Sequence, residues 1–143
     1  MTYRDPRAEE TATRLHSAAI RLLRMARRQD SASGISAPRL SALSVIVFAG
    51  PLSLAELAAE EQVRAPTMTR IVDGLVNAGL VTRETDMRDR RMVRIAATEE
   101  GRVLLDAGRR RRVLAITERL GKLADSERRA LERGVDLIEQ LTR

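Results

Sequence analysis

Residues 54–94 read LAELAAEEQVRAPTMTRIVDGLVNAGLVTRETDMRDRRMVR, and the fold depends on how this stretch divides. Ser53, just before it, forms a capping box with Glu56: the serine oxygen accepts from the N3 amide and the glutamate reaches back to the serine N–H, so a short helix begins at Leu54. It ends near Glu60. After Glu61-Gln62-Val63-Arg64 another helix begins around Pro66, with Met68, Ile71, Val72, Leu75 and Val76 on one face and Gly79 just past its end. Two short helices and a tight turn have the spacing of a helix-turn-helix. Leu57 and Ala58 pack the first helix, Val63 plugs the turn, and Met68, Ile71 and Leu75 bury the second. Thr67, Thr69 and Arg70 fall on the opposite face. Hydroxyls and a guanidinium suit base edges in a major groove, and a helix N-terminus suits a phosphate. Such spacing also occurs in helical proteins that bind no DNA, so the residues that follow must decide.

Residues 82–94, TRETDMRDRRMVR, place five arginines and three acids between the apolar positions Leu80-Val81 and Val93-Ile95. If Leu80–Glu84 and Met92–Ala96 pair antiparallel, Thr85–Arg91 becomes the exposed tip of a hairpin directly after a groove-sized helix, that is, a wing. A wing reaches the DNA backbone or the adjacent minor groove, where narrow A/T segments concentrate negative potential and attract arginine. Asp86 and Asp89 then have a task, because carboxylates between arginines fix guanidinium orientation. The tip contains no glycine, which predicts a longer, mobile loop in the free protein. The competing reading is a solvated hairpin whose charges discourage edge pairing.

Working outward, Asp5-Pro6 has the chemistry of a helix start. Leu15, Ala18, Ala19, Leu22, Leu23 and Ala26 recur at helical spacing up to the loop Ser31-Ala32-Ser33-Gly34, predicting one long amphipathic helix. Ala37–Phe48 predicts a densely apolar central helix, stopped at Ala49-Gly50-Pro51. Thr98-Glu99-Glu100 starts a helix running to about Leu120, and Asp125-Ser126-Glu127 starts a last one carrying Leu131, Val135, Ile138 and Leu141. The expected fold is mainly α with a small β-hairpin, an α+β arrangement. Long amphipathic helices at both ends present more apolar stripe than a unit of about 60 residues can cover. Pairing with a second copy is the simplest burial.

The 143 residues carry 26 basic side chains, of which only Lys122 is lysine, against 20 acids, for a formal net charge of +6 and a sequence pI near 11.2. That surplus points to a polyanionic partner. The sequence has no cysteine, which excludes disulfides, thiolate metal sites and thiol redox sensing together. The first residues, MTYRDPRAEE, are too charged for a secretory signal, and no apolar run approaches the roughly 18 residues of a membrane span, so a cytoplasmic protein is expected.

Asp86-Met87-Arg88-Asp89-Arg90-Arg91, preceded by GLVTR at Gly79–Arg83 and followed by Thr98-Glu99-Glu100-Gly101, resembles the MarR family of bacterial regulators. The similarity spans nearly the whole chain; PTMTRIVDGLVNAGLV with the charged wing carries it most specifically, and the terminal helices match by pattern. The resemblance implies a single winged helix-turn-helix protein over 1–143, with dimerisation helices at 5–30 and 99–143 and a DNA-binding unit at 37–97. It implies a homodimeric repressor or activator on a pseudo-palindromic operator, modulated by a small-molecule effector. Carried over by position, Pro66, Thr67, Thr69 and Arg70 lie in the recognition helix and Arg88, Arg90 and Arg91 in the wing, with Asp89 orienting Arg91. Arg64 stands where many members have a serine or threonine cap and there adds a phosphate contact. Gln62 stands in the turn where helix-turn-helix proteins often have glycine.

Other chemistry is poorly represented. No phosphate loop, metal cluster or serine-histidine pairing is present, so neither catalysis nor a cofactor is expected. His16, the one histidine, reads as a structural or surface residue. Arg109–Arg112 spans most of a helix circumference and cannot face a single ligand. The alternative to a DNA-binding regulator is a winged-helix protein-interaction module, which has little reason to alternate arginine and aspartate at a hairpin tip.

Overall fold

The computed structural model describes residues 5–143; Tyr3, one of the two aromatic residues, lies outside them. The elements run α1 (Pro6–Arg27), a 3-10 turn (Arg28–Ser33), α2 (Ala37–Ala49), α3 (Leu54–Glu60), α4 (Ala65–Asn77), β1 (Val81–Thr85), β2 (Val93–Ala97), α5 (Glu99–Leu120) and α6 (Asp125–Leu141). The fold is therefore mainly helical with one antiparallel hairpin, as the hydrophobic spacing predicts. Contacts gather into two units, one of Arg27–Arg110 and the other of the residues up to Ala26 together with Arg111–Arg143.

The first unit is built around α2. Ala42, Leu43 and Ile46 are buried on that helix, and Leu57, Ala58, Met68, Val72, Leu75, Leu80, Val81 and Ile95 close over them. This core is wholly aliphatic, and Phe48 stands 82% exposed. The capping box at Ser53 forms as the sequence predicts: Glu56 N donates to Ser53 Oγ over 3.2 Å and Ser53 N to Glu56 Oε2 over 2.8 Å. The turn into α4 is made by Gln62 at φ +53°, the one non-glycine residue with positive φ among those described. A glycine would hold that conformation at lower cost. Val63 returns its N–H to the Ala58 carbonyl at 3.0 Å and packs against the core.

Both strands begin one residue later than expected, in the register Val81↔Ala97 to Thr85↔Val93. Leu52, which carried no strand signal, adds an isolated antiparallel bridge to β2 by exchanging both backbone bonds with Ile95, at 3.1 and 2.7 Å. Thr98 then joins hairpin to helix. Its hydroxyl donates to the Gly79 carbonyl at 2.7 Å and accepts from Gly101 N at 3.1 Å, so it caps α5.

The second unit contains α1, the later part of α5, and α6. Asp5 Oδ1 accepts from Arg7 N at 3.0 Å, capping α1 as expected. The helix ends at Arg27 and tightens into the 3-10 turn, so it is shorter than the apolar spacing predicted; Gly34 at φ +75° closes the turn. Neither α1 nor α6 buries a residue. Leu22, Leu23, Leu131, Val135 and Leu141 all remain exposed. Among the described residues no single helix is long and apolar enough to cross a membrane.

Gly101 is closely packed against backbone, since a Cβ there would lie 2.2 Å from the Leu80 carbonyl oxygen and 3.2 Å from Leu43 Cδ1. Backbone cannot swing aside as a flexible side chain can. Gly101→Ala is expected to lower stability by about 1 to 3 kcal/mol, and urea unfolding of both proteins would check this.

Candidate nucleic-acid interface

α4 forms because Pro66 sits in its first turn, where a missing N–H costs nothing, and because Met68, Val72 and Leu75 give it one buried face. Arg64 at its N-cap makes no side-chain cap bond. The first N–H groups of α4 thus face outward without a side-chain acceptor. Around them Arg64, Pro66, Thr67 and Arg70 are exposed, and Thr69 is half-buried. Thr69 is less free than its residue type suggests: its hydroxyl donates to the Ala65 carbonyl at 2.9 Å, leaving an oxygen lone pair and the methyl to face a ligand.

The wing stands on the same unit. Arg83 of β1 forms an ion pair with Asp73 of α4, tying the strand to the helix it follows. At the tip Asp86 N donates to the Met92 carbonyl at 2.8 Å and Met92 N to the Asp89 carbonyl at 2.9 Å. Asp86 Oδ1 accepts from the backbone N–H groups of Arg88 at 2.7 Å and Asp89 at 3.3 Å, and Asp89 Oδ1 accepts from Arg91 N at 3.0 Å.

Two sequence expectations change here. The tip is a hydrogen-bonded turn rather than a loose loop. It needs no glycine because none of its residues takes a positive φ and because seven residues, 86–92, separate the strands, so a two-residue primed turn is not required. The aspartates also act differently: they hold backbone amides, and Asp89 orients Arg91 through the main chain rather than through its guanidinium. Arg88, Arg90 and Arg91 are exposed and take part in no ion pair among the described residues, which leaves their charge available to a partner.

Arg94, outside the expected set, completes the arrangement. Its Nε donates to Asp86 Oδ2 at 2.9 Å and its Nη1 to Glu56 Oε2 at 2.7 Å. The Arg94 hydrogen bond, followed by the amides of Arg88 and Asp89, holds the Asp86 carboxyl well below the usual range, at about 2. Hydrogen bonds from Ser53, then Arg94, lower Glu56 as well. A depressed carboxylate contributes stability that is present above its ordinary range and lost as pH falls towards the folded value. The wing anchor is therefore fully formed at neutral pH.

Arg39 of α2 was also missed. Its guanidinium lies directly over Gly74 of α4, where any Cβ would collide with it; a glycine in mid-helix was the available signal. Of the basic run at 109–112, Arg110 pairs with Asp106 one turn earlier, while the buried Nε of Arg111 has no hydrogen-bond partner among the described residues. Between Arg64 and Arg94 seven arginines face four acids. Two of those acids hold tip amides and a third, Asp73, pairs with Arg83, so the surface of α4 and the wing is strongly electropositive.

The family model for the MarR family matches residues 35–93, the stretch holding α2, α3, α4, β1 and the wing tip. An HTH-type transcriptional regulator of Mycobacterium leprae is 36% identical over 130 residues, which is 91% of each chain. A transcriptional regulator of Pseudomonas aeruginosa is similar in structure, with a TM-score of 0.79 at 26% identity over 98% of this chain and 99% of that one. A Staphylococcus aureus MepR variant, solved bound to an oligodeoxyribonucleotide, has a TM-score of 0.72 at 16% identity over 93% of this chain and 98% of its own. With a relative of this identity matching over 91% of its length and the family model falling on the helix-turn-helix and the wing tip, this chain belongs to the MarR family and is a DNA-binding transcriptional regulator.

Proposed function

We propose that the protein is a cytoplasmic repressor that binds a pseudo-palindromic operator as a homodimer, with its affinity modulated by a small-molecule effector. The observation that carries the DNA contact is the placement, on one compact unit, of the exposed start of α4 and a wing with three unpaired arginines. In this reading Thr67, Thr69 and Arg70 meet base edges in the major groove, while Arg64 and the amides beside Pro66 meet a phosphate. Arg88, Arg90 and Arg91 reach the adjacent minor groove or backbone, on a turn shaped by Asp89. The DNA-bound MepR structure supports this docking by analogy of fold.

Homodimerisation is supported by the terminal helices, because α1 and α6 bury no residue and expose their leucines and valines. Residues 5–30 and 99–143 are the proposed dimerisation helices and 37–97 the DNA-binding unit of a single MarR-like protein. A twofold dimer places two recognition helices about one helical turn of DNA apart, which is why the proposed operator is pseudo-palindromic. The effector component rests on the family resemblance.

Three measurements test these assignments. Operator affinity over a salt series should fall with a log-log slope of about −0.9 per phosphate neutralised; a nearly flat dependence would sink the electrostatic docking. Arg91→Ala should weaken operator binding by about 1 to 3 kcal/mol, roughly 5- to 150-fold, with the oligomer intact. Light scattering at micromolar concentration should give the mass of a dimer, and a stable monomer would refute the covering of the terminal helices by a second copy.

A further inference from the structure

We propose that Arg94 is a positioning residue for DNA binding, a clamp that sets the wing against the helix-turn-helix without itself touching DNA. The inference rests on the DNA-binding reading of the wing.

Its geometry separates it from the other arginines of the hairpin. In the ladder Arg94 stands opposite Glu84, yet its guanidinium ignores that neighbour and reaches Asp86 in the tip and Glu56 at the start of α3. Of the ion pairs described, Arg94–Asp86 is the most sheltered, with side chains 28% and 15% exposed. Two donors of one planar fork are committed to two carboxylates, an arrangement a lysine ammonium reproduces poorly.

A continuous chain of hydrogen bonds results. Glu56 holds the Ser53 amide at the N-cap of α3, Arg94 joins Glu56 to Asp86, Asp86 holds the amides of Arg88 and Asp89, and Asp89 holds the amide of Arg91. Arg88 and Arg91, two of the three proposed DNA-contacting arginines of the wing, are thereby tied, through at most a few bonds, to the first helix of the helix-turn-helix. Leu52, bonded to Ile95, fixes the base of β2, and among the described residues the hydrogen bonds that tie the tip to α3 run through Arg94. Ordering that tip before DNA arrives removes a conformational cost from binding. Arg94 therefore acts through Arg91 and its neighbours.

A double-mutant cycle in operator binding, measured on the full-length protein, tests this. Arg94→Met is expected to weaken binding about tenfold in the otherwise unchanged protein, less than about twofold in an Arg91→Ala background, and by the full tenfold in an Arg70→Ala background. Thermal melting accompanies each variant. Arg94→Lys, which keeps the charge and the aliphatic stem, provides the same cycle should the methionine variant melt below the assay temperature; it is expected to lose binding partially and only while Arg91 is present. A loss at Arg94 that is equally large with and without Arg91 would overturn the proposal, since it indicates a contact of its own with DNA. Full binding by both Arg94 variants would also overturn it. If Arg91→Ala costs nothing by itself, the wing reading falls and this inference falls with it; if Arg91→Ala is costly and the two effects add, only the positioning role falls.

Discussion

The Arg27–Arg110 unit depends on burying a small aliphatic set on both sides of α2. Leu43 and Ile46 are sealed by Leu57 from α3, Met68, Val72 and Leu75 from α4, and Val81 and Ile95 from the hairpin. With Phe48 turned outward, no aromatic ring fills the centre, so the fit relies on many short side chains meeting at close range. Gly101 shows how close: its hydrogen occupies a place where a methyl group would strike the Leu80 carbonyl. Because the same residues that make the core also fix one face of α4, they determine which residues of that helix look outward. Recognition chemistry at Thr67 and Arg70 is thus a consequence of burial at Met68 and Val72.

Electrostatics on this unit is divided between fixing and presenting. Asp73 with Arg83, and Asp86 and Glu56 with Arg94, are consumed in holding elements together. The Asp73–Arg83 and Glu56–Arg94 pairs are exposed enough that their separate contributions to stability are small. Their value lies in geometry, since they define where the unpaired arginines stand. The acids of the wing do not cancel its charge so much as convert it from a diffuse cloud into placed groups.

The sequence disclosed the architecture through periodicity and caps. The capping box at Ser53–Glu56, the α4 face from Met68 to Val76 and the hairpin around a charged tip are all visible as spacing, and spacing survives folding because it encodes burial. What escaped were features that depend on three-dimensional proximity. Nothing in the residues around Leu52 marks it as a partner for Ile95, 43 positions later. Arg94 reads as one more arginine in a basic run until Glu56 is seen beside it. Asp89 was identified as a residue that matters, but with its carboxylate assigned to a side chain rather than to an amide; residue type alone does not distinguish those acceptor roles. The end of α1 was misplaced because apolar spacing is indifferent to a change from α to 3-10 geometry.

The wing tip turns without a single left-handed residue, its curvature being enforced by two aspartates and two main-chain bonds. Its outward positions, Met87, Arg88 and Arg90, therefore need no left-handed backbone, and their side chains are free to vary except that proline is excluded at Arg88, whose N–H is used by Asp86. Shape and reading are held by different residues. A lineage of such regulators can change what its wing prefers on DNA by substitution at those outward positions, while Asp86 and Asp89 keep the loop itself constant, so that target preference drifts without a detour through a misfolded hairpin.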